Sequence, residues 1–140
     1  MNYSKLDYIR WMSCILLLLL VAITAEAASL WQLPKQEQVY KDLGMCRQAT
    51  QDEEAATLRC LVKSLGLWTD DSGYQARRIA KIFAGHNQME ELMLVVNYCN
   101  RREEQRTQPD EWALRAYRCA TSGRFGHWVR DFMKPKGEVN

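Results

Sequence analysis

Glycine and proline are scarce, seven and three in 140 residues, which excludes collagen-like and low-complexity organisation. Neither sign of charge dominates: nineteen Lys and Arg stand against seventeen Asp and Glu, a net of +2. So near neutrality there is no case for nucleic acid as the main partner, and no polybasic membrane tail. Strand signals are nearly absent, since no segment of four to eight residues alternates cleanly between apolar and polar. Catalytic patterns are lacking as well. There is no Gly-x-Ser-x-Gly elbow and no His-Glu-x-x-His helix. The paired acids Glu53/Glu54, Glu90/Glu91 and Glu103/Glu104 are adjacent, so on a helix they diverge. No Cys-x-x-Cys or His-x-x-x-His spacing offers a zinc site. The chain is therefore expected to be no enzyme and to need no metal or other cofactor.

What is present begins with an address. Lys5 and Arg10 precede an apolar run from Trp11 to Ile23, which ends in Ala25-Glu26-Ala27. A basic start, a short apolar stretch and a small-x-small site are the parts of a secretory signal peptide. The run is about 13 residues, against about 20 for a spanning helix. Cleavage after Ala27 is expected to leave one domain, 28–140, secreted to the extracellular side. Cys14 departs with the signal, and Cys46, Cys60, Cys99 and Cys119 remain. An even number in a small secreted chain reads as two disulfides, and four cysteines allow three connectivities.

Helical spacing recurs through the rest. One helix is predicted over Lys35–Cys46, after Pro34. A second runs from about Asp52 to Leu65, with acids at its start, Lys63 near its end and Gly66 as its stop. The cluster from Thr69 to Gly73 reads as a turn. A third helix runs from about Tyr74 to Ala84, with Ile79, Ile82 and Phe83 inside and Arg77, Arg78 and Lys81 outside. A fourth covers about Gln88–Arg102, with Met89, Leu92, Met93, Val96 and Cys99 on one stripe. A charged loop, Arg101 to Arg106, marks its end. A fifth starts near Pro109, with Thr107 as cap. After Gly123 comes a short apolar segment, Phe125 to Met133, that reads as a lid or a docked terminal element. The expected fold is all-α, a bundle of five to six helices around an apolar cavity.

Secretion, helical character and the cysteine contexts together resemble the insect odorant-binding proteins, the pheromone and general odorant-binding family. Four stretches carry the resemblance: Trp31 to Cys46, Arg59 to Tyr74, Val95 to Cys99, and Asp110 to Cys119. The second, RCLVKSLGLWTDDSGY, is the most specific. The family commonly has six cysteines. Ala56, four before Cys60, and Asp110, nine before Cys119, stand where the second and fifth would be. Those two pair with each other in the family, so their joint loss leaves no orphan thiol and matches its four-cysteine Minus-C subgroup. The resemblance implies the pairs Cys46–Cys60 and Cys99–Cys119. Only thirteen residues separate Cys46 from Cys60, about half the family's usual span. The family's short second helix has no counterpart here, which implies a smaller or more open pocket.

The function implied is that of a carrier holding a small hydrophobic molecule, such as an odorant, pheromone or lipid-like compound. Its expected wall is Leu61, Leu65, Trp68, Ile82, Phe83, Met89, Leu92, Met93, Val96, Tyr117, Trp128 and Phe132, and the Tyr117 hydroxyl is placed to fix an alcohol or carbonyl head. Position by position, each of these also reads as plain core. A membrane receptor is a further partner for delivery, and the chain is expected to be a monomer or weak homodimer. His86 and His127 are the side chains that titrate near neutrality unperturbed. They read first as solvated, and His127 in the lid segment is the candidate for pH-dependent release. The alternative is a secreted surface-acting or scavenging protein on the same fold, using Arg77, Arg78 and Lys81 or the Arg101–Arg106 loop rather than a cavity.

Overall fold

Helical spacing is realised as seven helices among the described residues: α1 (Lys5–Ala28), α2 (Gln36–Thr50), α3 (Glu54–Ser64), α4 (Ala76–Phe83), α5 (Met89–Arg102), α6 (Pro109–Ala120) and α7 (Arg124–Met133). Two short strands, β1 (Trp68–Thr69) and β2 (Gly73–Tyr74), lie between α3 and α4. The computed structural model describes residues 4–28, 30–85, 87–135 and 137. The chain divides into two units, Met1–Gln32 and Leu33–Asn140. The first holds α1, whose leucines Leu16 to Leu19 are exposed. Among the described residues, no helix is long and apolar enough to cross a membrane.

In the second unit the helix ends follow local chemistry, with some corrections to the sequence expectation. Asp52 does not open a helix. Gln51 and Asp52 both adopt left-handed backbone conformations, with φ of 54° and 60°, and so end α2. Glu53 is the cap of α3 instead, its carboxylate accepting from the Ala55 and Ala56 amides at 3.1 and 2.6 Å. Gly66 (φ 70°) stops that helix as predicted, and the Leu67 amide turns back to the Val62 carbonyl at 2.8 Å. At α6 the cap position falls on Gln108 rather than Thr107, with no side-chain capping bond. The segment after Gly123 is a helix, α7, and Arg101 and Arg102 belong to α5 rather than to a loop.

The cluster from Thr69 to Gly73 is the turn of an antiparallel hairpin, Trp68 opposite Tyr74 and Thr69 opposite Gly73. Tyr74 therefore belongs to a strand, and α4 starts at Ala76. Among the described residues the hairpin has no third strand. The buried Asn100 side chain serves in its place: its Oδ1 accepts from the Tyr74 amide at 2.9 Å, and its Nδ2 donates to the Tyr74 carbonyl at 2.8 Å. Gly73 (φ 80°) permits this approach, since a Cβ there would meet Asn100 Oδ1 at 2.7 Å. Trp68, Tyr74 and Trp112 pack edge to face, with ring centroids 4.8 and 4.9 Å apart. Their polar atoms are satisfied: Trp68 Nε1 donates to Asp70, Tyr74 Oη to the Ala113 carbonyl and Trp112 Nε1 to the Asn100 carbonyl.

Cys46–Cys60 joins α2 to α3 and Cys99–Cys119 joins α5 to α6, each with Cα atoms 5.7 Å apart. On the hairpin side Arg59 spans two acids. It bonds both oxygens of Asp70, and it reaches Asp110 at the start of α6 at 3.1 Å. The Arg59 guanidinium, helped by the Trp68 N–H and Lys63, holds the Asp70 carboxyl well below the usual carboxylate range.

Two outcomes follow. Asn100→Ala strands two buried backbone groups of Tyr74 and should cost about 2–4 kcal/mol. Gly73→Ala should cost more than about 1 kcal/mol through its positive φ. Urea unfolding of the oxidised protein measures both. A carboxyl depressed in the folded state stabilises it fully above the unfolded value of about 3.9, and that stabilisation is lost as pH falls below it. Asp70→Asn should therefore flatten the loss of stability below about pH 4, as read from urea midpoints across that range.

Candidate functional site

Within the second unit, α2 to α7 and the hairpin surround an apolar cavity of about 160 Å³. Three- and four-residue spacings aim side chains into it from separate helices. From α3 and the turn after it come Leu58, Leu61, Val62, Leu65 and Leu67; from α4, Ile79, Ile82 and Phe83. Val96 comes from α5, Ala116, Tyr117 and Ala120 from α6, and Phe125, Val129, Phe132 and Met133 from α7. Pro34, Val39 and Tyr74 complete the wall.

Seven of the predicted wall residues meet here: Leu61, Leu65, Ile82, Phe83, Val96, Tyr117 and Phe132. Five do not. Trp68 is buried in the hairpin cluster, because its indole N–H is satisfied by Asp70 and its ring by Tyr74 and Trp112. Leu92 and Trp128 line a separate groove between α5 and α7, with Val95, Glu91 and Arg124. Met89 and Met93 are half-buried on α5 and outside the wall. The apolar stripe of α5 is wide, and Val96 is the part of it that faces the cavity. Several wall residues were missed. Phe125, Val129 and Met133 carried a signal, because with Phe132 they fall at helical spacing once the tail segment is read as a helix. Ala116 and Ala120 carried none, since small residues flank a void as readily as they fill a tight contact.

Polar atoms at the wall are few. The Tyr74 hydroxyl is committed to Ala113, and burial pushes its pKa up. Among the described residues, no group hydrogen-bonds the Tyr117 hydroxyl. Desolvation raises its pKa too, only partly opposed by the charge of Arg130. It stays neutral at physiological pH and is able to donate or accept.

The wall formed by α7 is held from α2. Gln36 Nε2 donates to the carbonyls of Phe132 and Lys134 at 2.8 and 2.6 Å, and the Tyr40 hydroxyl donates to the Met133 carbonyl. These bonds satisfy carbonyls that a helix end leaves open. Phe83 meets Phe125 and Phe132 edge to face, at 5.2 and 5.4 Å. Gly126 lets the start of α7 lie against α6, since a Cβ there would sit 2.2 Å from the Thr121 carbonyl. Beyond Pro34 and Phe132 lies a polar cleft bordered by Lys35, Gln36, Glu37, Asp131 and Lys134. Pro34 and Phe132 line both spaces, so they form the partition at that end.

The charged candidates lie elsewhere. Arg77 and Lys81 are exposed, but Arg78 is half-buried and donates to the Gly66 carbonyl at 2.7 Å; it is not part of an outer basic face. Arg106 pairs with Glu104. His127 is exposed on α7, its Nδ1 against Arg130 at 2.7 Å, and does not line the cavity. His86 lies outside the described residues. Among the described residues, no cluster of His, Cys, Asp or Glu is arranged to hold a metal.

The family model for PBP/GOBP matches residues 30–122, the stretch that contains α2 to α6. No curated protein matches, and no solved structure does.

Removing the ties between α2 and α7 should free that wall without unfolding the rest. In a Gln36→Ala, Tyr40→Phe variant, amide exchange in α7 should speed up about tenfold or more, on about 1 kcal/mol per hydrogen bond lost. Protection in α5 and α6 should be unchanged. Hydrogen–deuterium exchange with peptide resolution measures the contrast.

Proposed function

The chain belongs to the PBP/GOBP family, a binding and carrier family, and on that premise we propose that it is a secreted carrier of one small, mostly hydrophobic molecule. The observation that carries this reading is the cavity, whose wall is almost wholly apolar. A void of about 160 Å³ compares with an engineered cavity of about 150 Å³, in another protein, that takes up benzene. The ligand is therefore about the size of one ring or a short chain; for Tyr117, a wall residue with a hydroxyl unbonded among the described residues, we propose a hydrogen bond to one oxygen of the ligand. Burying about eight carbons gives roughly 6 kcal/mol at 0.8 kcal/mol per methylene, and one hydrogen bond adds about 1. The dissociation constant then falls near 10 μM, in order of magnitude.

The rest of the proposal concerns processing. Cleavage after Ala27 removes α1 except for Ala28, a step supported by the basic start, the short apolar run and the exposed leucines. What remains carries four cysteines in two bonds, the pattern of the Minus-C subgroup. His127, exposed and paired with Arg130, supplies no support for pH-dependent release.

Displacement of a fluorescent apolar probe tests the carrier, using the full chain expressed through a secretory host and recovered oxidised from the medium. Ring-sized alcohols and carbonyls should displace the probe saturably at micromolar concentration, ahead of long-chain acids. Tyr117→Phe should weaken the oxygenated ligands about fivefold, the equivalent of about 1 kcal/mol, and leave matched hydrocarbons unchanged. If a crosslinked, cooperatively folding protein binds no probe, the carrier reading fails and a surface-acting protein takes its place.

A further inference from the structure

The cavity and the groove between α5 and α7 share two wall residues, Phe125 and Ala120. Helix geometry explains the common border. On α7, Phe125 lies one turn before both Trp128 and Val129, at spacings of three and four. Val129 lines the cavity and Trp128 the groove. On α5, Val96 lines the cavity and Leu92 the groove, one turn or about 6 Å apart. The groove thus continues the cavity toward the start of α5. Ala120 brings only a methyl group to the border. The closing therefore falls on the Phe125 ring, which is buried and meets Phe83 edge to face at 5.2 Å.

Beyond that ring Leu92, Val95 and Trp128 offer apolar surface, and the charged residues there, Glu91 and Arg124, are paired with each other at 2.8 Å. Two other spaces that share wall residues with the cavity suit an apolar chain less. The cleft past Pro34 and Phe132 is bordered by Lys35, Glu37, Asp131 and Lys134. The groove outside Leu58 and Leu61 has Arg47, Asp52 and Glu54 around it, and it lies against α2 and α3, which Cys46–Cys60 joins. Among the described residues no disulfide ties α7. Resting on the carrier reading, we propose that Phe125 is the length stop of the ligand site. Its ring ends the room for a linear apolar ligand, and the α5–α7 groove is the compartment that it shuts off. The ligand class is then a ring, or a chain of up to about eight carbons. Discrimination by length resides in one side chain rather than in the wall as a whole.

The test is displacement of a fluorescent apolar probe by straight-chain primary alcohols, from hexanol to tetradecanol, using the full chain secreted and recovered oxidised. For the wild type each added methylene should tighten binding about fourfold, up to about eight carbons. Affinity should then fall about tenfold or more by dodecanol, because further methylenes overpack the wall. Phe125→Ala should remove the fall, so that dodecanol binds about tenfold or more tightly than it does to the wild type. Val95→Asp, added to Phe125→Ala, places a carboxylate in the groove and none in the cavity. It should reverse the gain for dodecanol and tetradecanol about tenfold and spare hexanol. Thermal melts establish that each variant folds, and Phe125→Val, which keeps more of the side chain, should move the limit the same way by fewer carbons. A wild type that binds none of the alcohols overturns the proposal together with the carrier reading. A wild type that binds hexanol but shows no fall by tetradecanol has no stop, and overturns the proposal alone. So does an unchanged length limit in the folded Phe125 variants, or a gain for the long alcohols that survives Val95→Asp.

Discussion

The joining of α2 to α3 through Cys46–Cys60, and of α5 to α6 through Cys99–Cys119, is the constraint on which the rest of the second unit depends. A cavity of about 160 Å³ costs about 4 kcal/mol at the volume dependence found for protein cores. Crosslinks that close loops of 14 and 20 residues contribute about 3 kcal/mol each by restricting the unfolded chain. The crosslinks thus offset the void, and a small domain keeps room inside. The helices without cysteine in this unit, α4 and α7, close the remaining sides with Ile79, Ile82, Phe83, Phe125, Val129, Phe132 and Met133. Fixed walls and adjustable ones are thereby divided between different elements.

Asp110 supplies a polar tie between α6 and α3. Its carboxylate meets Arg59 of α3 at 3.1 Å. Among the described residues no disulfide joins these two helices, and the ion pair links them instead. Arg59 also grips Asp70, and Asp70 accepts the indole N–H of Trp68. A single guanidinium thus connects α3, the hairpin turn and α6. The opposite side of the hairpin is fixed to α5 by the Asn100 amide.

Helix positions and stops were legible because they rest on local chemistry: Gly66 after α3, Pro109 at the start of α6, and the three-and-four spacing of Leu58, Leu61, Val62 and Leu65. The hairpin was not legible. Each strand has two residues, too few for alternation to show, and its pairing depends on Asn100, 26 residues away from Tyr74. The cavity wall was legible in part. Spacing identifies the apolar side of a helix, but which segment of that side meets a void depends on the neighbouring helices. Hence Val96 is in the wall, while Leu92, four residues earlier on the same stripe, lines a groove against Trp128. Trp68 shows the other limit: a large aromatic ring with a polar atom settles where that atom finds a partner.

Two bridges also bear on how the second unit reaches its native state. Its four thiols admit three complete pairings. With an ion pair holding α3 to α6, the oxidising search among these four has two wrong isomers to reject. Each native bridge, moreover, links helices that follow one another in the second unit, α2 with α3 and α5 with α6. Both closures are short-range events that need no prior assembly of the whole bundle.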